Sequence, residues 1–174
     1  MSNNDPLDFI FGRRSIRVFK PGQIGLETLE VLLKAAMAAP SACARDPWHF
    51  VVVKEAETLA RLTSVLPNGQ MLASAAAGIV VCGDLQEAHD HQVSYMLQDC
   101  SAAIENLLLA AHVLGLGACW LGIHPRPDRI ESVSAILGLP SHIVPVSCVA
   151  LGLPGEIREA RTRYQASRVH AGKW

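Results

Sequence analysis

Arg13, Arg14, Ser15 and Arg17 crowd into five residues, and their types suit one kind of chemistry. In an extended stretch, Arg13, Ser15 and Arg17 point to one side. Two guanidinium forks and a hydroxyl on one side suit a phosphate, each charge-assisted bond contributing roughly 1.5–3 kcal/mol. A solvated edge strand, kept apart from other chains by its charge, is the competing reading. Arg161-Thr162-Arg163 repeats the spacing in the C-terminal tail, where plain solvent exposure competes more strongly.

Other constellations lead nowhere. His89-Asp90-His91 has no further ligand at a diagnostic spacing, so it reads as a polar helix start and no metal is expected. Gly115-Leu116-Gly117 closes a helix where a dinucleotide fingerprint would open one, and Trp120 stands where its third glycine belongs. Neither GxxxxGK[ST] nor GxSxG occurs. His112 reads as a hydrogen-bonded interior or interface residue, and Trp48 and Trp120 as core first and site second.

The element that must organise these residues is Tyr95–Leu114, free of glycine and proline. Met96, Cys100, Ala103, Leu107, Ala111 and Leu114 recur at helical spacing. Ala102, Leu109 and Val113 make the opposite face hardly more polar, so this central helix must be covered all round, by its own domain or also by a second copy. Around it the predicted order starts with a helix from Asp5-Pro6 to about Gly12, an alternating charged stretch to Phe19 and a helix over 26–39. A loop over 41–47, a strand over 48–54, a helix over 56–65, a short helix over 70–75 and a strand over 78–82 follow. A polar connection leads to the central helix, then a strand over 118–123, a helix capped by Asp128 to Leu137, and a last strand over 144–151. Residues 152–174 are a polar tail without periodicity. This is a mixed α/β domain with helices on both faces of a small sheet.

The 174 residues suit a single domain, and half are apolar. A net charge of −1 argues against nucleic-acid binding. No Lys or Arg falls between Arg61 and Arg126, whereas seven of the fifteen lie in Arg13–Arg17 and Arg158–Arg168. The N-terminus shows no secretory signal. The uncharged run from Asn106 to Pro125 stops being helical at Gly115, too short to cross about 30 Å of hydrocarbon. Five cysteines without a CxxC pair read as free thiols, four of them in apolar runs, in a cytoplasmic protein.

GRRSIRVF, AAPSACARDPWHFVVV, QDCSAAIENLLLAAHVLGLGACWLG, LGLP, PVSCVALGLPGE and RTRYQASRVHAGKW occur in that order. From about Phe9 to Trp174 the chain resembles the nitroreductase superfamily of FMN-dependent oxidoreductases, particularly its compact bacterial and archaeal members. The resemblance implies an α+β fold, a three-layer α/β/α sandwich with a mainly antiparallel sheet. It implies a homodimer joined through the central helix, with residues 153–174 wrapping the partner and FMN at the interface. Arg13, Arg14, Ser15, Arg17, Arg161 and Arg163 would bind FMN, and Pro40 and Ser41 would line its ring from the other subunit. Trp120, Leu121 and Gly122 would pass near the ring. The chain departs from the family pattern at Ala44 (usually Asn), Asp46 (usually Gln) and Gln70 (usually a Lys near the ring), leaving Arg17 as the clear cation there. The implied activity is hydride transfer from NADH or NADPH to a nitroaromatic, quinone or other small acceptor by ping-pong kinetics. A flavin carrier or sensor without reductase activity is the alternative.

Overall fold

Residues 6–174 are described by a computed structural model. The helices are α1 (Asp8–Gly12), α2 (Leu26–Met37), α3 (Ala56–Val65), α4 (Val93–Val113) and α5 (Pro127–Leu137). The strands are β1 (Phe19–Lys20), β2 (Trp48–Val53), β3 (Ala77–Asp84), β4 (Gly117–Gly122) and β5 (Ile143–Pro154). β5 lies between β3 and β4, β2 pairs with the free edge of β3, and β1 joins the C-terminal end of β5. Every strand pair is antiparallel; a parallel contact is the isolated bridge of Ser15 with Ala118.

Side-chain alternation splits the core in two. Ile79 and Val81 of β3 and Val149 and Leu151 of β5 pack with α2 and α4. Val80 and Cys82, with Cys148 and Ala150, pack on the other face with Leu59 and Leu62 of α3 and Val133 of α5. A sheet buried on both faces must be apolar at every position, and all eight residues of β3 are buried. The result is the expected three-layer α/β/α sandwich. Val146 is an extra residue in β5, because Val81 pairs with Ser147 and Cys82 with Pro145. This bulge inverts the alternation, so that Val144 and Val146 join the α4-side core although Cys148 does not.

On α4 the residues Met96, Cys100, Ala103, Leu107 and Ala111 are buried, joined by Asp99, Ile104 and Leu108. Leu114 lies beyond the helix and is exposed, as is Val113. Three further expectations need correction. Asp5 lies outside the described residues, and Pro6 sits in a turn ahead of α1. Asp128 does not cap α5: Arg126 holds that position and Pro127 starts the helix, where its missing N–H costs nothing. β5 runs on to Pro154, taking the first residues of the presumed tail, because Leu153 and Pro154 pair with Lys20 and Phe19. The remainder of the tail is almost wholly exposed. No helix among the described residues is long and apolar enough to cross a membrane.

Candidate functional site

After α1 the chain turns extended at Arg13, with φ −60° and ψ 120°. The Ile16 N–H donates to the Ala118 carbonyl at 3.0 Å, and the Ile16 side chain is buried. The N–H groups of Arg17 and Val18 donate to Glu156 Oε1 at 2.6 and 3.2 Å. The segment is thus pinned between β4 and the start of the tail. The Arg17 N–H is the main reason that the Glu156 carboxyl is held below the usual range; Arg158 adds to it.

Arg17 opens into a cavity of about 510 Å³. Gln70, Met71, Trp120, Leu121 and Gly122 line it, as does Arg129 of α5. Each is placed by its own element. Gln70 begins a 3-10 turn after Gly69 that Leu72 anchors in the core. On β4, Leu121 is buried while its neighbour Trp120 faces out, 38% exposed. Trp120 is therefore a lining residue and not core, unlike Trp48, which is buried with α2 and α4. Arg129 Nη1 donates to the Gly122 carbonyl at 2.9 Å. The sequence reading missed Arg129, since a single arginine on a polar helix face carries no signal.

Arg14 takes the other side. It lines a smaller cavity of about 230 Å³ with Ile16, His112, Glu156 and Arg158. Among the described residues no hydrogen-bond partner reaches its buried Nε. Desolvation lowers its pKa, and Arg161, Arg13, Arg163 and Arg158 lower it further in that order. Arg158 and Arg161 of the tail line a further cavity with Arg14, so cations from both chain ends bear on it. Desolvation, then Arg13, also favours neutral His112. Among the described residues counter-charges are few: Arg13 Nε meets Glu105 Oε1 of α4 at 3.0 Å, and Arg158 pairs with Glu156 at 2.8 Å. The Arg161 N–H donates to the Phe11 carbonyl at 3.3 Å, which ties the tail back to α1. Ser15 sits between the two groups, on its bridge to Ala118.

Pro40 and Ser41 are not brought to the Arg17 cavity. They open the loop after α2, where Ser41 Oγ lies 2.5 Å from Asp46 Oδ1 and accepts the Asp46 N–H at 3.0 Å. Asp99 of α4 is buried and its Oδ1 accepts the Ala42 N–H at 2.9 Å. Cys43, Ala44 and Asp46 all have positive φ, at 51°, 52° and 49°. The loop is held by these contacts against its local preference.

The sequence profile of the nitroreductase family matches residues 10–67 and 63–153. The chain belongs to the nitroreductase family. It is 46% identical over 97% of its length to an Archaeoglobus fulgidus protein, of which 98% is covered, provisionally named NADH dehydrogenase/NAD(P)H nitroreductase. A similarly named crystal structure from Parabacteroides distasonis is 38% identical, with a TM-score of 0.92 over 99% of this chain and all of that one. A Desulfovibrio desulfuricans nitroreductase-type structure in complex with FMN is 28% identical, with a TM-score of 0.83 over 96% of each chain.

For a nitroreductase-family chain the residues fit a flavin mononucleotide. The Arg17 cavity lies within the size range of small-molecule sites. Nothing stands within 4 Å of the position a Gly122 Cβ would take, so the wall is open there. The unpartnered Arg14 Nε and the excess of cations around it are chemistry that a phosphate satisfies.

Proposed function

We propose that this chain is an FMN-dependent oxidoreductase that takes hydride from NADH or NADPH and passes it to a nitroaromatic, a quinone or another small acceptor. The two substrates use one cavity in turn, which is ping-pong kinetics. The observation that carries this reading is the pairing of an open cavity beside Arg17 with a guanidinium cluster short of counter-charge around Arg14. The names of the relatives point the same way.

Bound FMN supplies the capacity to accept and release a hydride. Arg13, Arg14, Ser15, Arg161 and Arg163 hold its phosphate. Arg17, Gln70, Trp120, Leu121 and Gly122 line the ring side, and Pro40 and Ser41 serve a partner's site. Arg17 and Arg129 set a positive potential in the cavity, where negative charge gathers during reduction. Trp120 shields that region from water. The working unit is a homodimer in the cytoplasm, a single domain per chain, with residues 153–174 as an arm on the partner. Exposed apolar residues on α2 (Leu26, Val31, Met37), at both ends of α4 (Val93, Val113) and along the arm (Ile157, Tyr164, Val169, Trp174) support that assembly.

A flavin carrier without turnover is the second reading, favoured by neutral Gln70 in the cavity wall. An anaerobic visible spectrum of the protein with FMN, before and after NADH or NADPH, separates the two. A protein-bound flavin band that bleaches supports the oxidoreductase. A band that persists leaves the carrier, and failure to retain FMN rejects both.

A further inference from the structure

Three ligating side chains, His49, Asp84 and Glu87, offer donor atoms within 4.8 Å of one another at the far end of the β2–β3–β5 ladder, with His142 beside Asp84, and none of the four lines the Arg17 cavity. The register assembles them. His49 of β2 pairs with Cys82, Asp84 ends β3 opposite Ile143, and His142 immediately precedes that residue. Glu87 follows in the turn after β3. His49 Nε2 lies 4.0 Å from Asp84 Oδ2 and 3.8 Å from Glu87 Oε2. His142 Nε2 lies 3.8 Å from the same Asp84 oxygen.

Asp84 is the telling member. Its side chain is only 10% exposed. Oδ1 accepts the N–H groups of Gln86 and Glu87 at 2.7 and 3.4 Å, which fixes the carboxylate plane. Among the described residues no hydrogen bond reaches Oδ2, which faces both imidazoles at distances too long for one. Two ligands on one tetrahedral zinc stand about 3.3–3.5 Å apart, given metal–ligand bonds of about 2.0–2.1 Å. The observed gaps exceed this by a few tenths of an ångström. His49 and Glu87 are half-exposed and can turn inward, whereas Asp84 is held by backbone donors, as an oriented ligand should be. Phe50, Val51, Leu139 and Pro140 wall a cavity of about 400 Å³ alongside.

We infer that His49, Asp84, Glu87 and His142 form a site for a divalent transition-metal ion, zinc by preference. Two imidazoles with two carboxylates suit zinc better than calcium or magnesium, which take oxygen ligands. The site is independent of the flavin reading and requires no flavin chemistry.

The test titrates zinc sulfate into chelator-stripped full-length protein with FMN added, in competition with a chromogenic chelator at about pH 7.5. One zinc per chain is expected, with a rise of several degrees in Tm. His49→Gln and His142→Gln should each weaken binding at least about tenfold. Asp84→Asn, which keeps the Oδ1 acceptor, should do the same. Absence of stoichiometric uptake overturns the inference. So does uptake that survives the His49→Gln/His142→Gln pair, or that is lost only in Cys43→Ser, which would move the metal to the Cys43–His89 contact.

Discussion

Ala44 has φ +52°, in a loop where Cys43 and Asp46 are left-handed too. For an L-residue with a Cβ this conformation costs roughly 1–2 kcal/mol, and Asn and Asp bear it best. Asp46 is partnered by Ser41, but Ala44 has only a methyl group and no polar atom to offer. The family comparison made Ala44 and Asp46 legible as departures, yet their spacing gave no sign that both occupy left-handed backbone. Ala44→Asn should raise Tm by about 1–4 °C at this chain length, read by thermal denaturation; an unchanged Tm would mean the loop is not strained there. The thiols carry a pH prediction. Burial pushes Cys82, Cys100 and Cys148 up to about 12, against an ordinary 9.0. Below pH about 9 both folded and unfolded chains keep these protons. Between 9 and 12 the unfolded chain alone releases them, so stability falls as pH rises through that window. Urea midpoints should drop between about pH 9 and 11, and Cys148→Val should make the fall shallower. Under native conditions a thiol reagent should label one cysteine per chain quickly, the exposed Cys43.

At the scale of elements, α4 was legible because its buried stripe keeps helical spacing from Met96 to Ala111. β3 was legible as a short apolar run but not in length, since Asp84 carries no strand signal. The bulge at Val146 was invisible, because an apolar run reads the same with or without an extra residue. Trp120 was misread for a similar reason: strand composition does not say which face a wall or a core will cover. β3 comes close to α4 at Gly83, where an added Cβ would clash with the Met96 side chain. Gly83→Ala should destabilise by about 1–3 kcal/mol as overpacking. Adding Met96→Ala should recover part of that loss, so that the two changes couple in a double-mutant cycle of denaturation midpoints; strict additivity would place the strain elsewhere.

For the whole molecule, the exposed surface is 10102 Å² at 18.7 kDa. A compact monomer of that mass exposes about 8,300 Å². The arm after Pro154, whose apolar Ile157 and Trp174 lie open, adds to that exposed area. Deleting residues 159–174 should lower FMN affinity by tenfold or more and shift the assembly toward monomer, read by flavin retention and sedimentation; a deletion chain that keeps both would remove the arm from the site. The arginine cluster around Arg14 was half legible, from the crowding of Arg13, Arg14 and Arg17, and the lining of the Arg17 cavity only through the family resemblance. The cluster at His49, Asp84 and His142 was not legible at all, because strand register and not spacing unites it. The same register gives β5 a further consequence. Three of the other four strands hydrogen-bond to it, yet it begins only at Ile143. On a ribosome, a nascent chain that has reached α5 holds β1, β3 and β4 without the strand they share. Only the β2–β3 pair, with α3 between its strands, and the helices can form by then. The apolar faces of β3 and β4 must wait in the care of the exit tunnel or a chaperone. The sheet closes from its middle, once Ile143–Pro154 arrives.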